Sequence, residues 1–439
     1  MQYSLLAAAL GVSAVTAFPF VARTPGVDAS MLERHTPSLA RRSNYARQQS
    51  GGSNPGGNVN CPYIPWEDHV PAPGISAAYP YNGAKNGQPG NGRGGYPVPA
   101  PGDTAHQFIA PDYTKDIRGP CPGLNTAANH GFLARDGITT FTELVDAQQN
   151  LYNVGYDLAV LLALLGLTLT DGDIVTERLS IGCDATNRTS YISPLVPTAQ
   201  SGEPGLDGHN KFEADTSLTR NDYFLSNGDN FNFNGTLFGM MTETTGGLYN
   251  RDNLAKYRYQ RYQQSLKDNE NFYFGPFSLL LYGASSFLYE LMPSGPDYIP
   301  DYATISSFFG AKKNGDGTYA FTGQEKIPDN WTNRVSPYTN EDVVTEILAQ
   351  YLEYPVLFGG ATGNGGFDLI NFGYINNGSL IAPPGVPQTA CLLYQLLGER
   401  VPSGLNVVLS PTIEALSLIT SKIGLTGLQN LGCPIPLTK

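Results

Sequence analysis

Glycine and proline divide this chain before any other feature does. There are 50 Gly and 33 Pro in 439 residues. One has too much backbone freedom for a helix or ladder, and the other lacks an N–H and fixes φ. From Cys61 to about Pro111, most densely over 82–101, they predict a long irregular wrap with almost no regular structure. Beyond it, apolar residues recur at helical spacing. Thr140-Phe-Thr-Glu143 forms a capping-box pattern ahead of a helix through Leu144, Ala147 and Leu151. The span 155–165 is apolar on most faces, as a buried helix is. Further helices are expected at 219–224, 234–242, 252–267, 276–292, 340–353, 388–397 and 412–423. Strand signals are few and short, 405–409 being the best, and no repeat is visible. The expected fold class is all-α: one domain over residues 61–439 with long Gly/Pro-rich loops.

The first 60 residues read differently. Residues 1–17 have the pattern of a secretory signal, an apolar run followed by Val15-Thr16-Ala17. Residues 18–60 are poor in apolar periodicity and read as a propeptide or disordered leader, with Arg41-Arg42 as a dibasic processing site. The longest other apolar run, 158–167, is far shorter than the roughly 18 residues of a membrane span, so no membrane partner is expected. A net charge of −12 argues against nucleic acid. Four sequons, at Asn187, Asn234, Asn330 and Asn377, suit a secreted glycoprotein. The five cysteines are Cys61, Cys121, Cys183, Cys391 and Cys433. An odd count in an oxidising compartment leaves at least one thiol without an internal partner.

Cys121 is the candidate for that thiol. In Arg118-Gly-Pro-Cys121-Pro122-Gly-Leu-Asn125, Pro122 suits the first position of a helix and Cys121 the residue that caps it. A helix over 124–130 follows, stopped by Gly131. A thiol at a helix start meets unpaired N–H groups and the positive end of the dipole, which favour the thiolate. Such a sulfur is a nucleophile or a soft metal ligand, haem iron included. The alternative, half of a cystine, fits most secreted cysteines; the odd count shifts the balance toward a free sulfur. A second stretch, Phe212-Glu213-Ala214-Asp215-Thr216-Ser217, places two carboxylates and a hydroxyl within five residues. Such hard oxygens suit Mg²⁺. The same residues also describe a solvated acidic loop ending in a helix cap at Ser217 or Thr219.

Taken together, these stretches resemble the fungal haem-thiolate peroxidases, the family of chloroperoxidase and the unspecific peroxygenases. The matching residues run Pro120-Cys121-Pro122-Gly-Leu-Asn-Thr-Ala-Ala-Asn-His130-Gly131, then Arg135-Asp136-Gly137. They continue through His209-Asn-Lys-Phe-Glu213-Ala-Asp215-Thr-Ser217-Leu-Thr-Arg220 and Asp229-Asn-Phe-Asn-Phe-Asn234. The likeness covers about 106–295 and persists more weakly to the end. It implies haem b held by Cys121, with Mg²⁺ beside a haem propionate. The implied Mg²⁺ ligands are Glu213, Asp215, Ser217 and the carbonyl of Ala214, and Phe212 would line the haem channel. His130 and His209 match the pattern and read as structural. The family's C-terminal disulfide implies Cys391 with Cys433, leaving Cys61 and Cys183 paired or free.

One departure from the family matters. Thiolate chemistry needs a distal group that moves a proton between the peroxide oxygens. Long peroxygenases carry an Arg and a Glu seven apart on one helix. The matching stretch here, Phe277-Ser-Leu-Leu-Leu-Tyr282-Gly283-Ala284-Ser285-Ser286, places Phe277 and Ala284 there, or Ser278 and Ser285 one residue along. Short members carry a His inside the acidic loop, where Ala214 stands. Glu290 is the one carboxylate on this helix, and its phase points it elsewhere. It is the weak candidate for the distal acid, with a water held by Ser285 or Ser286 as another route. The expected function is a secreted peroxidase or peroxygenase, monomer or homodimer, using H₂O₂ on a small organic substrate. The alternatives are a haem-binding relative with impaired peroxide activation, in a non-oxidative biosynthetic or ligand-binding role, and a glycosylated wall or adhesion protein without cofactor.

Overall fold

The computed structural model describes residues 68–169, 172–183, 205–293, 298–381, 386–398, 401–404, 407–409 and 413–423. The signal and leader segments, the sequon at Asn187, and Cys61 and Cys433 lie outside the described residues. Among the described residues, 68–121 carry no α-helix and no strand longer than a bridge, as the Gly/Pro density predicts. The backbone there is held instead by side chains of one helix and by the 331–335 segment, to which Gly94, Gly95, Tyr96 and Val98 donate their N–H groups. Gly83 and Gly90 donate N–H to Asn150 Oδ1 (3.1 Å) and Gln149 Oε1 (3.0 Å), and Asn150 Nδ2 donates to the Ala84 carbonyl at 2.8 Å. Glycine is required for this closeness: a Cβ on Gly90 would sit 1.5 Å from Asn82 Oδ1.

That helix, α2 (Phe141–Tyr152), follows α1 (Pro122–Asn129) and the short strand β1 (Ile138–Thr140). Thr140 caps α2, accepting from the Glu143 N–H at 3.1 Å. The reciprocal half of the capping box is absent. Glu143 instead accepts from the Ala72 N–H (2.9 Å) and Thr139 Oγ1 (3.0 Å), so it ties down the wrap. Asp146 does likewise, accepting from the Gly87 N–H at 2.9 Å. Burial pushes its carboxyl up from its ordinary value to about 6, against the amides of Gly87 and Asn86, which pull it down. A carboxyl raised on folding favours the folded state while protonated, so its contribution is lost as pH climbs from about 4 through about 6. Asp146→Asn should therefore raise the melting temperature more at pH 8 than at pH 5. Equal shifts at the two pH values would contradict this.

The core is helical. Helix α3 (Tyr156–Leu169) is buried on nearly every face, with Leu164, Leu165 and Leu167 wholly enclosed. Each such leucine contributes roughly 1.5–3 kcal/mol relative to exposure. Around it pack α2, α9 (Val386–Gly398) and α10 (Ile413–Ile423). A second group joins α4 (Gly235–Thr245), α5 (Arg251–Asp268), α6 (Leu280–Leu291) and α8 (Asn340–Glu353), with α8 also packed on α9. The helix expected over 276–292 is a 3₁₀ turn (Pro276–Leu279) running into α6. A short helix α7 (Tyr302–Phe308), capped by Asp301, was not foreseen.

Two expectations need correction. The fold is mostly helical but not all-α: five small sheets, one of three strands and four of two, occur among the described residues. Their strands run two to four residues, too short for an alternating pattern to register. Strand Val407–Leu409 pairs with Val401–Gly404; residues 405 and 406 of the predicted strand lie outside the described residues. The helix expected over 219–224 is also absent. Asp222 accepts from the Thr216 N–H at 3.1 Å and pairs with Arg261 at 2.9 Å, and the Thr219 carbonyl accepts from the Asn234 N–H. Side-chain bonding to backbone competes with the helix there. Asn234 caps α4 through its side chain, which suits it poorly as a glycan site, whereas Asn330 and Asn377 are exposed.

Candidate active site

Cys121 occupies the N-cap of α1, in extended conformation, with Pro122 at the first helical position. It is the free cysteine among the described residues, and Cys183 and Cys391 are disulfide-bonded. Burial pushes the thiol up, opposed by the amides of Leu124 and Gly123, and the net direction is upward. This reverses the expectation of a lowered value: the helix start favours the anion, but desolvation outweighs it. A cation bound at the sulfur would tip the balance back.

The peptides before Cys121 are gripped from both sides. The Gly119 N–H donates to Asn125 Oδ1 (3.0 Å), and Asn125 Nδ2 returns a bond to the Gly119 carbonyl (2.9 Å). Asn125 Nδ2 also donates to Glu325 Oε2 at 2.7 Å. Arg220 donates through Nε to the Pro120 carbonyl (3.0 Å) and through Nη2 to Glu325 Oε1 (2.8 Å). Burial pushes the Glu325 carboxyl up, while Arg220 and Asn125 hold it down. Tyr152 of α2 donates to the Gly123 carbonyl at 2.8 Å. A single loop is thus pinned by α2, the 213–222 segment and a residue far along the chain.

Cys121 opens on a cavity enclosing about 1450 Å³ of atom-free space, its mouth included, with walls that are overwhelmingly apolar. Helix α6 supplies Leu280, Leu281, Ala284, Phe287, Leu288 and Leu291, one face at helical spacing. No titratable group stands on that wall. Glu290 lies about 110° round from its centre and pairs instead with Arg334 and its neighbourhood outside the cavity. The candidacy of Glu290 as distal acid is therefore withdrawn. Ser285 bonds Gln350 and the Tyr282 carbonyl, and Ser286 bonds the Gly283 carbonyl and Tyr338, so neither hydroxyl serves the cavity. Ala284 faces the open space and is exposed to it.

The acidic loop forms another wall and splits the predicted ligand set. Phe212, Glu213 and Ser217 line the cavity. Glu213 Oε2 bonds His209 Nδ1 at 3.0 Å, while its Oε1 is buried without a partner among the described residues. Ser217 Oγ donates to the Ala214 carbonyl at 3.0 Å. Asp215 turns the other way, accepting from the Tyr273 N–H and Asn269 Nδ2, both at 3.1 Å. Burial, with Asp222 and Glu213 adding to it, pushes its carboxyl well up. These bonds tie the loop to the segment after α5 through Oδ2, while Asp215 Oδ1, like Glu213 Oε1, is buried without a partner among the described residues. No cluster of three or more His, Cys, Asp or Glu is placed to hold a metal among the described residues. His130 sits between the His106 carbonyl and the Ile327 N–H, each at 3.1 Å, and His209 stacks on Tyr223.

Sequence reasoning missed the cations that hold this loop. Thr216 has φ +74, a strained conformation for a β-branched residue. Arg258 holds it there, bonding both its carbonyl and its hydroxyl (2.9 Å), while Asp222 takes its N–H. Arg261 bonds the Ser217 carbonyl at 2.9 Å. The signal was present in the buried polar face Arg258, Arg261, Gln264 of α5, spaced three apart. Arg258 Nε and Arg220 Nη1 are buried without an acceptor among the described residues, and both residues line the cavity. A flat apolar cofactor bearing carboxylates and an iron centre meets what this cavity offers: apolar walls, unanswered guanidinium N–H groups and a free sulfur.

Comparison with known proteins gives the same direction. A family model described as peroxidase, family 2 matches residues 106–336. The chain is 32% identical over 349 residues to the aromatic peroxidase fscJ of Fusarium equiseti, covering 75% of this chain and 78% of that one. It is 32% identical over 300 residues to the aromatic peroxygenase of Cyclocybe aegerita, covering 67% and 71%. With the chloroperoxidase of Leptoxyphium fumago, identity is 29% over 211 residues, covering 46% and 50%.

Proposed function

The chain belongs to the fungal haem-thiolate peroxidase family, and from that premise we propose that it is a secreted enzyme holding haem b on Cys121 and using H₂O₂ on a small apolar organic substrate. The observation that carries this is a free thiol at a helix start, opening on an apolar cavity lined by two guanidinium groups that each keep one nitrogen without an acceptor among the described residues. Bound there, haem supplies an iron centre where the O–O bond of peroxide breaks, the thiolate lending it electron density. The chain's own residues do the rest. Asn125, Arg220 and Tyr152 orient the sulfur. Arg258 takes a cofactor carboxylate. Glu213, the Ala214 carbonyl, Asp215 and Ser217 hold Mg²⁺, the bare Glu213 Oε1 and Asp215 Oδ1 being the acceptors that invite it. Phe212 and the leucines of α6 exclude water and orient the substrate. Residues 1–17 direct export, 18–60 form the leader, 61–439 form the domain, and glycans sit at Asn330 and Asn377.

The α6 wall favours a second version of the same proposal. Glu213 is the one carboxyl among the lining residues, and no histidine is among them. On this version the protein binds haem, handles peroxide slowly, and serves a non-oxidative biosynthetic or ligand-binding role. Turnover of an aromatic probe with oxygen-labelled H₂O₂ separates the two. Label in the product supports peroxygenation. Haem binding with neither product nor peroxide consumption supports the second version.

A further inference from the structure

We propose that the buried Arg220–Glu325 pair is an electrostatic positioning device that sets the electron density of the Cys121 sulfur, and through it the reduction potential of the iron. The inference rests on the haem-thiolate proposal above. Its geometry is specific. Arg220 reaches the carbonyl of Pro120, the residue adjoining Cys121, at 3.0 Å, and Glu325 at 2.8 Å. Arg220 lines both the cavity of Cys121 and a second cavity beside Asn125 and Arg118, and Glu325 lines only the second. The cation therefore stands between the sulfur's surroundings and the carboxylate. Side-chain exposures of 5% and 2% keep both charges out of solvent screening.

A buried pair is costly to retain for stability alone, since an apolar pair of similar volume often does as well. Here each charge also has a neutral errand. Glu325 orients Asn125, which clasps Gly119 in both directions, and its backbone carbonyl accepts from Asn129 Nδ2 at 2.8 Å. Two roles follow, and they are separable. If the pair only holds the loop, removing either member disturbs the sulfur alike. If it tunes the sulfur, the two removals act with opposite sign. Glu325→Gln leaves an uncompensated cation and favours the electron-rich ferrous state. Arg220→Met leaves an uncompensated anion and favours the ferric state.

The test is spectroelectrochemical titration of the haem-loaded full chain with each single variant. The expected result is a rise for Glu325→Gln and a fall for Arg220→Met. Each should change the ferrous-to-ferric ratio roughly tenfold, about 59 mV for a one-electron couple. Shifts of the same sign, or none, overturn the proposal. Where a single variant fails to fold, Arg220→Met/Glu325→Gln removes both charges and leaves no lone buried ion. Its potential should return close to the parent's, and a departure as large as that expected of the singles overturns the proposal too. Failure of the underlying haem-thiolate reading looks different: the parent itself would lack a thiolate-type ferrous–CO band.

Discussion

Ala284→Glu should raise peroxide-driven turnover by roughly 10²–10⁴-fold, the usual contribution of a positioned general acid–base. Ala284 is exposed to the cavity in the middle of the α6 face that lines it, so a longer side chain there enters space. Its neighbours on that wall are leucines and a phenylalanine. An apolar setting raises a carboxyl's pKa toward neutrality, where proton transfer in both directions is most effective. The control is Ser285→Glu, since Ser285 faces Gln350 and the Tyr282 carbonyl. Steady-state kcat/KM for H₂O₂ should rise for the first variant and not for the second. Equal kinetics for parent and Ala284→Glu would mean that the distal proton is moved by a group elsewhere.

Cys121→Ala should remove thiolate ligation altogether and with it peroxidase activity. Loss of an outer-shell partner costs a metal site roughly 10–100-fold, and loss of the ligand itself should exceed that. The fold should survive, because α1 keeps Pro122 at its first position and the Tyr152 contact. Gel filtration and circular dichroism would check the fold, and pyridine haemochrome the cofactor. A Cys121→Ala protein that retained haem and full turnover would remove the site from this cavity.

What could be read in advance followed from locality. The start of α1 was legible because a helix-starting proline and the residues it organises are adjacent, so one short stretch specifies cap, first turn and sulfur. The wrap was legible because Gly and Pro act on their own backbone. The free thiol followed from an odd cysteine count. Glu325 was illegible: it meets Asn125 from 200 residues away and sits in a loop where any acid looks solvated. The partners of Asp215 were illegible for a similar reason. Its Oδ2 accepts from Asn269, 54 residues on, and spacing within the loop says nothing of that. Arg258 and Arg261 lay in a correctly predicted helix, but only burial shows that their polar face looks inward. The small sheets escaped because strands of two to four residues carry too little periodicity.

The Soret band of the reduced protein under CO tests the central claim most directly, because its position depends on the atom opposite the gas. A sulfur anion at position 121 predicts a band shifted far to the red in the parent and lost in Cys121→Ala. A parent band at the position given by a nitrogen ligand, or a red-shifted band that persists in Cys121→Ala, would contradict the account.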